Sequence, residues 1–180
     1  IIDSIFLGKA KIAKSIVNPS VFGYYEGLEG FAFNPEKAKE LVKKSGVKNT
    51  SFSLYVNDNP VRLQVAQIIQ ANLKEIGIDM KIETLEWGTY LQKTGEGDYQ
   101  AFLGGWISGT SDADIVLYSL LDSKLIGLAG NRARYSNPEF DKEVETARVV
   151  LTPEERKEHF KNAQIIAQND SPLVVLYNKN

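Results

Sequence analysis

The hydrophobic pattern of this chain changes period several times. Asn34 to Gly46 has a helical spacing, with Ala38, Leu41 and Val42 on one stripe. Asn34 is placed to cap it, Pro35 fits its first turn, and Gly46 ends it. Ser51 to Val56 then alternates, with Phe52, Leu54 and Val56 on one side. After Asn59-Pro60, a second helix carries Leu63, Ala66, Ile69, Leu73 and Ile76 on one face, and Gly77 stops it. Ile78, Met80 and Ile82 alternate again. Strand, helix, strand in this order predicts a βαβ unit with parallel strands.

The flanking stretches are less regular. Residues 1–8 resemble the tail of a helix. Residues 9–33 predict a long irregular connection, punctuated by Pro19, Gly23, Gly27 and Gly30. Val21, Phe22, Tyr24, Tyr25, Phe31 and Phe33 give it apolar anchors, so it is expected to wrap a neighbour. A short helix is expected from Trp87 to Thr94, and a strand from Asp98 through Trp106. A polar loop, Ser108 to Asp112, then feeds a helix opened by Asp112 or Asp114 and carried by Ile115, Leu117, Tyr118 and Leu121. Asn137 caps a helix with Phe140, Val144 and Ala147 inward. Thr152-Pro153-Glu154-Glu155 is a capping box, and its helix buries Phe160, Ala163 and Ala167. Leu173 to Tyr177 predicts a strand covered on both faces. The fold class is α/β, with a mixed, partly parallel sheet and flanking helices.

Composition narrows the function. The 180 residues are 43% apolar and 24% charged, the balance of a globular protein. The net charge of −2 comes with no basic patch, so no nucleic-acid partner is expected. No apolar run approaches the roughly 20 residues that cross a bilayer. There is no cysteine, which removes disulfides, thiolate metal sites and cysteine nucleophiles. The chain opens on Ile-Ile-Asp and closes just after an apolar run, and is expected to be a piece of a longer protein.

No catalytic motif is present. Gly105-Trp106-Ile107-Ser108-Gly109 has the wrong spacing for a nucleophile elbow, and no Lys-Ser/Thr follows the glycines as in a phosphate loop. His159 is the one histidine, on a charged helix where a solvated surface position is expected. No metal or cofactor site is expected. What remains suits recognition. Trp87 and Trp106 are each equally readable as core residues or as apolar walls for a ligand. Gly104 and Gly105 leave the backbone open to close approach. Ser108, Thr110 and Ser111 offer neutral hydrogen bonds, and Asp112 or Asp114 a charge for an amine, unless these aspartates only cap the helix. Arg134, with Arg132 beside it, can hold a carboxylate in fork geometry.

The ordered set of motifs resembles the C-terminal lobe of extracellular solute-binding proteins of the oligopeptide, dipeptide and nickel class, which serve ABC importers. The residues that carry the likeness are Asn34 to Leu41 with Ser45-Gly46, Ala66 to Ile78, Glu86 to Leu91, Gly97-Asp98-Tyr99, Gly105-Trp106, Asn131 to Asp141, and Ser171 to Tyr177. The resemblance implies one lobe, residues 1–180, of a two-lobed, type II periplasmic-binding-protein-like fold. It implies a non-catalytic, extracytoplasmic component, periplasmic or a cell-surface lipoprotein, that captures a small peptide and hands it to a membrane permease. The isolated piece is expected to be monomeric. It also implies that Trp87 and Trp106 lie near the ligand. Family members commonly carry an aspartate three residues after the second tryptophan, where this chain has Gly109. The loop is more similar to that of glutathione-binding members, and Asp112 becomes the expected partner of a bound amine. Two alternatives stay open: a binder of another solute, such as a metal chelate or opine, and a non-catalytic fragment of an enzyme.

Overall fold

A computed structural model describes residues 1–107, 109 and 111–179. The chain divides into two compact units. The first comprises residues 1–7, 32–94 and 98–105, and the second residues 8–31, 95–97 and 106–180.

The first unit is built on three parallel strands. β2 (Ser51–Asn57) is central, with β3 (Asp79–Leu85) on one side and β4 (Ala101–Phe102) on the other. Ser51 pairs with Asp79 and Asn57 with Leu85, so the expected parallel βαβ unit is present. Its crossover is α3 (Pro60–Glu75), whose start is fixed because Asn59 Oδ1 accepts from the N–H groups of Val61 and Arg62. Leu54, Val56, Ala66 and Met80 form the core, with Phe52, Leu63, Ile69 and Leu73 packed around them. Each large side chain removed from water there contributes about 1.5–3 kcal/mol. Val65, outside the expected stripe, is fully buried as well. The short α1 (Ile2–Phe6) ends at Leu7 in the left-handed conformation.

α2 (Pro35–Ser45) departs from expectation in its packing. Its ends are as predicted: Asn34 Oδ1 accepts from Lys37 N at 2.9 Å, and Gly46 adopts φ 65°. The expected buried stripe is not buried; Ala38 and Val42 are half-buried and Leu41 is 56% exposed. Caps specify where a helix starts and stops, but not what covers it.

In the second unit, α5 (Ala113–Leu121), α6 (Pro138–Ala147) and α7 (Pro153–Asp170) enclose a core of Leu117, Leu121, Phe140, Val144 and Phe160. A 3₁₀ turn, Ser123–Leu125, follows α5. The segment expected to be irregular contains one strand, β1 (Ala10–Ile12), antiparallel to β5 (Tyr177–Lys179). The rest wraps, as its aromatic residues suggested: Val21, Phe22 and Tyr24 pack on the helical core, and Val17 is fully buried. Phe31 and Phe33 are not anchors; both are about three-quarters exposed, at 73% and 75%. The strand expected at Leu173–Tyr177 begins only at Tyr177, with Val174 75% exposed. An apolar run gives β tendency, but the partner β1 is short and the ladder reaches back only to a bond from Ala13 N to the Leu176 carbonyl.

Candidate functional site

Trp87 opens α4 (Trp87–Glu96) directly after β3. Glu86 caps this helix, its carboxylate accepting from the N–H groups of Gly88 at 2.9 Å and Thr89 at 3.2 Å. Those bonds hold the Glu86 carboxyl below its usual range. Trp87 is 46% exposed and stacks on Tyr90 with ring centroids 5.6 Å apart. Tyr90 is buried and donates its hydroxyl to the Leu103 carbonyl at 3.1 Å, tying α4 to the segment after β4.

β4 is shorter than the predicted strand. The ladder beyond Phe102 adds one bond, from Leu103 N to the Tyr55 carbonyl, and Gly104 to Trp106 lie outside it. The two glycines admit the protein's own side chains. A Cβ on Gly105 would stand 3.0 Å from Arg62 Nη2, and one on Gly104 would stand 3.4 Å from the Tyr90 hydroxyl. Arg62 also donates to Asn57 Oδ1 at 2.7 Å, at the carboxyl end of β2. That end of a parallel sheet is where ligands gather. Sequence reading missed Arg62; the available signal was a cation in the first turn of the helix after a strand ending in Asn57.

Trp106 is 43% exposed, so neither tryptophan is a core residue. Ser108 and Thr110 lie outside the described residues. Ser111 is exposed, and its carbonyl accepts from Phe22 N at 2.9 Å. Asp112 is the cap of α5, with Oδ1 accepting from Asp114 N at 3.0 Å. Its carboxylate is gripped from α7: Arg156 Nη1 lies 2.9 Å from Oδ2 and Nη2 lies 3.1 Å from Oδ1. Asp114 faces a second arginine, its Oδ1 3.4 Å from Arg148 Nε. Burial raises the Asp114 carboxyl above its usual range, Arg148 opposes that shift, and Asp112 adds to it. The Arg148 guanidinium lies 3.7 Å over the Tyr118 ring.

Arg134 is exposed, with a left-handed φ of 55°, and its side chain lies over Gly97. Arg132 is half-buried. His159 is not a solvated surface group: its side chain is 28% exposed, and Nδ1 lies 2.7 Å from Glu143 Oε2. Among the described residues, no cluster of three His, Asp or Glu side chains is arranged to hold a metal ion. Two open depressions, of about 570 and 250 Å³, lie elsewhere. One is lined by Lys124, Asp141 and Glu145 among others, the second by Val42, Val47 and Phe52 among others, and neither includes a candidate residue.

Residues 1–127 match the family model of bacterial extracellular solute-binding proteins, family 5 (middle region), and the chain belongs to that family. The dipeptide-binding protein of Escherichia coli is 28% identical over 182 residues, covering 98% of this chain and 34% of the relative. The heme-binding protein A of Haemophilus influenzae is 33% identical, covering 97% of this chain and 33% of the relative. Among solved structures, a periplasmic binding protein associated with an ABC transporter of Helicobacter pylori, in complex with the peptide STSA, superposes with a TM-score of 0.89. Its identity is 32%, over 98% of this chain and 35% of that one. A Pseudoalteromonas dipeptide-binding protein in complex with Met-Leu gives 0.93 at 27% identity, over 99% of this chain and 36% of that one. The chain thus spans about a third of the length of these relatives, and its fold is that of periplasmic binding proteins.

Proposed function

We propose that this chain forms one lobe of the substrate-binding component of an ABC importer that captures a small peptide outside the cytoplasm and delivers it to a membrane permease without catalysis. The observation that carries this reading is the likeness, over nearly the whole chain, to two binding proteins solved with STSA and Met-Leu. The geometry is compatible with it. Trp87 and Trp106 each follow the carboxyl end of a parallel strand, and each keeps nearly half its surface free. An indole so placed offers an apolar wall to a peptide side chain or backbone. Within the second unit, Ser111 and Arg134 are both exposed and carry a neutral donor and a cation.

Native mass spectrometry of the full-length protein, as purified from its host, tests the reading. A retained peptide of a few residues is expected. Retained heme or metal chelate would favour the second reading, which rests on the 33% identity to heme-binding protein A. Turnover of added peptide would overturn the non-catalytic assignment.

A further inference from the structure

We propose that Arg156 is a positioning residue: acting through Asp112, it fixes the carboxyl end of the loop that follows Trp106, and Asp112 does not itself touch the ligand. The proposal rests on the peptide-binding reading above and assigns the charge within that site.

Asp112 has little capacity left for a ligand amine. Its Oδ1 already accepts from Asp114 N and Arg156 Nη2, and its Oδ2 accepts from Arg156 Nη1. A bidentate arginine–carboxylate pair fixes geometry as well as charge. One acceptor position remains, on Oδ2, and an ammonium that paired with both oxygens would have to displace a guanidinium that is itself held elsewhere. Arg156 Nε donates to the Ala147 carbonyl, at the last residue of α6, at 3.1 Å. The guanidinium also lies against two rings, 5.4 Å from the centroid of Phe22 and 5.2 Å from that of Phe160.

The same arginine therefore joins the end of α6, the start of α5 and the Phe22 strap. The strap adds two backbone bonds at the same loop end, beside the ring that Arg156 packs on. Phe22 N donates to the Ser111 carbonyl and Ala113 N to the Phe22 carbonyl, both at 2.9 Å, on either side of Asp112. A start of α5 held in this way is preorganised, and preorganisation lowers the cost of binding. Asp114 is turned toward Arg148. The Asp112 carboxylate thus serves the protein, while the buried Asp114 Oδ1 reaches Arg148 as an ion pair and accepts no hydrogen bond among the described residues.

The test uses the full-length protein with Arg156→Gln, Asp112→Asn, the double variant, and Arg156→Lys, which keeps the charge but not the fork. Amide hydrogen exchange is read at Phe22 and Ala113, with Val144 in the core of α6 as reference, and Met-Leu affinity is read by calorimetry. Expected are faster exchange at Phe22 and Ala113 with Val144 unchanged, and an affinity loss of about three- to tenfold in both single variants. The double variant should lose no more than either single, and Arg156→Lys should be intermediate. An affinity loss in Asp112→Asn at least about tenfold greater than in Arg156→Gln would make Asp112 a ligand contact and overturn the proposal. Unchanged exchange in Arg156→Gln would overturn it as well. If the wild-type protein bound no peptide, the functional reading would fail separately, and the proposal's positioning of a peptide site would fail with it; exchange would then report only whether the clamp itself exists.

Discussion

The Ser15 hydroxyl donates to Gln164 Oε1 at 2.8 Å, a buried bond between groups 149 residues apart in sequence. Gln164 also accepts from Tyr25 N at 3.3 Å and donates to the carbonyls of Gly23 at 2.8 Å and Phe160 at 3.0 Å. One amide thereby fastens the irregular N-terminal strap to α7. Gln164→Ala leaves the Ser15 hydroxyl and the Gly23 carbonyl buried without this partner. A loss of about 2–4 kcal/mol is expected in urea denaturation, with Ser15→Ala costing about 1 kcal/mol and the pair costing less than the sum.

Two glycines with left-handed backbones should respond differently to alanine. Gly23 has φ 88°, and a Cβ there would stand 2.5 Å from Phe160 Cδ2 and 3.0 Å from the Ala113 Cβ. Gly46 has φ 65° with nothing within 4 Å. Gly46→Ala should cost about 1–2 kcal/mol from backbone strain alone. Gly23→Ala adds a collision with a packed ring and should cost roughly 3 kcal/mol or more. Thermal melts of the two variants give the comparison.

Asp122 is fully buried between α5 and the 3₁₀ turn, and its Oδ2 has no hydrogen-bond partner among the described residues. Burial raises its carboxyl above the ordinary 3.8; the Lys124 N–H opposes this, and the charges of Asp141 and Glu145 add to it. A raised folded value means the native state holds the proton more tightly than the unfolded chain. Stability contributed by the protonated form is therefore present below 3.8 and is lost as pH rises through the folded value. Asp122→Asn keeps an acceptor for Lys124 N and removes the buried charge. Its stability relative to wild type should improve from pH 3.5 to pH 7 in urea titrations. A difference that stayed flat across that range would show that Asp122 carries no ionisation penalty.

Trp106→Ala in the full-length protein should weaken peptide binding about tenfold while costing no more than about 2 kcal/mol of stability, since the indole is 43% exposed. Trp106 is a cleaner probe than Trp87, whose removal also breaks the stack on Tyr90. Calorimetry with Met-Leu gives the first quantity and urea denaturation the second. Unchanged affinity would remove Trp106 from the site.

Much of this was legible in the residues because the governing physics is local. Asn34, Asn59, Asn137 and Thr152 all accept from the backbone N–H groups expected of caps. The period change between Ser51 and Ile82 specified the parallel strands around α3. The ordered motifs pointed to the family. Other features were not legible, because they depend on groups far apart in sequence. Nothing near Asp112 announces Arg156, which lies 44 residues further on. The stripe of α2 and the run from Leu173 to Leu176 have the composition of buried surface, yet Leu41 and Val174 stay exposed. Hydrophobic pattern states which face prefers burial, and only the packed neighbours decide whether it is covered.

The sequence by itself determined where the capped helices begin and that the stretches around Ser51–Val56 and Ile78–Ile82 are strands, since caps, prolines and periodicity act within a few residues; the bounds of β1, β4 and β5 depended on their strand partners. Only the tertiary structure decided that both tryptophans remain half open, that Arg62 stands beside the Gly104-Gly105 backbone, and that Asp112 is bound to an arginine. A side chain's charge partner and exposure are set by whatever the fold brings within a few ångströms, and distance along the chain carries no record of that.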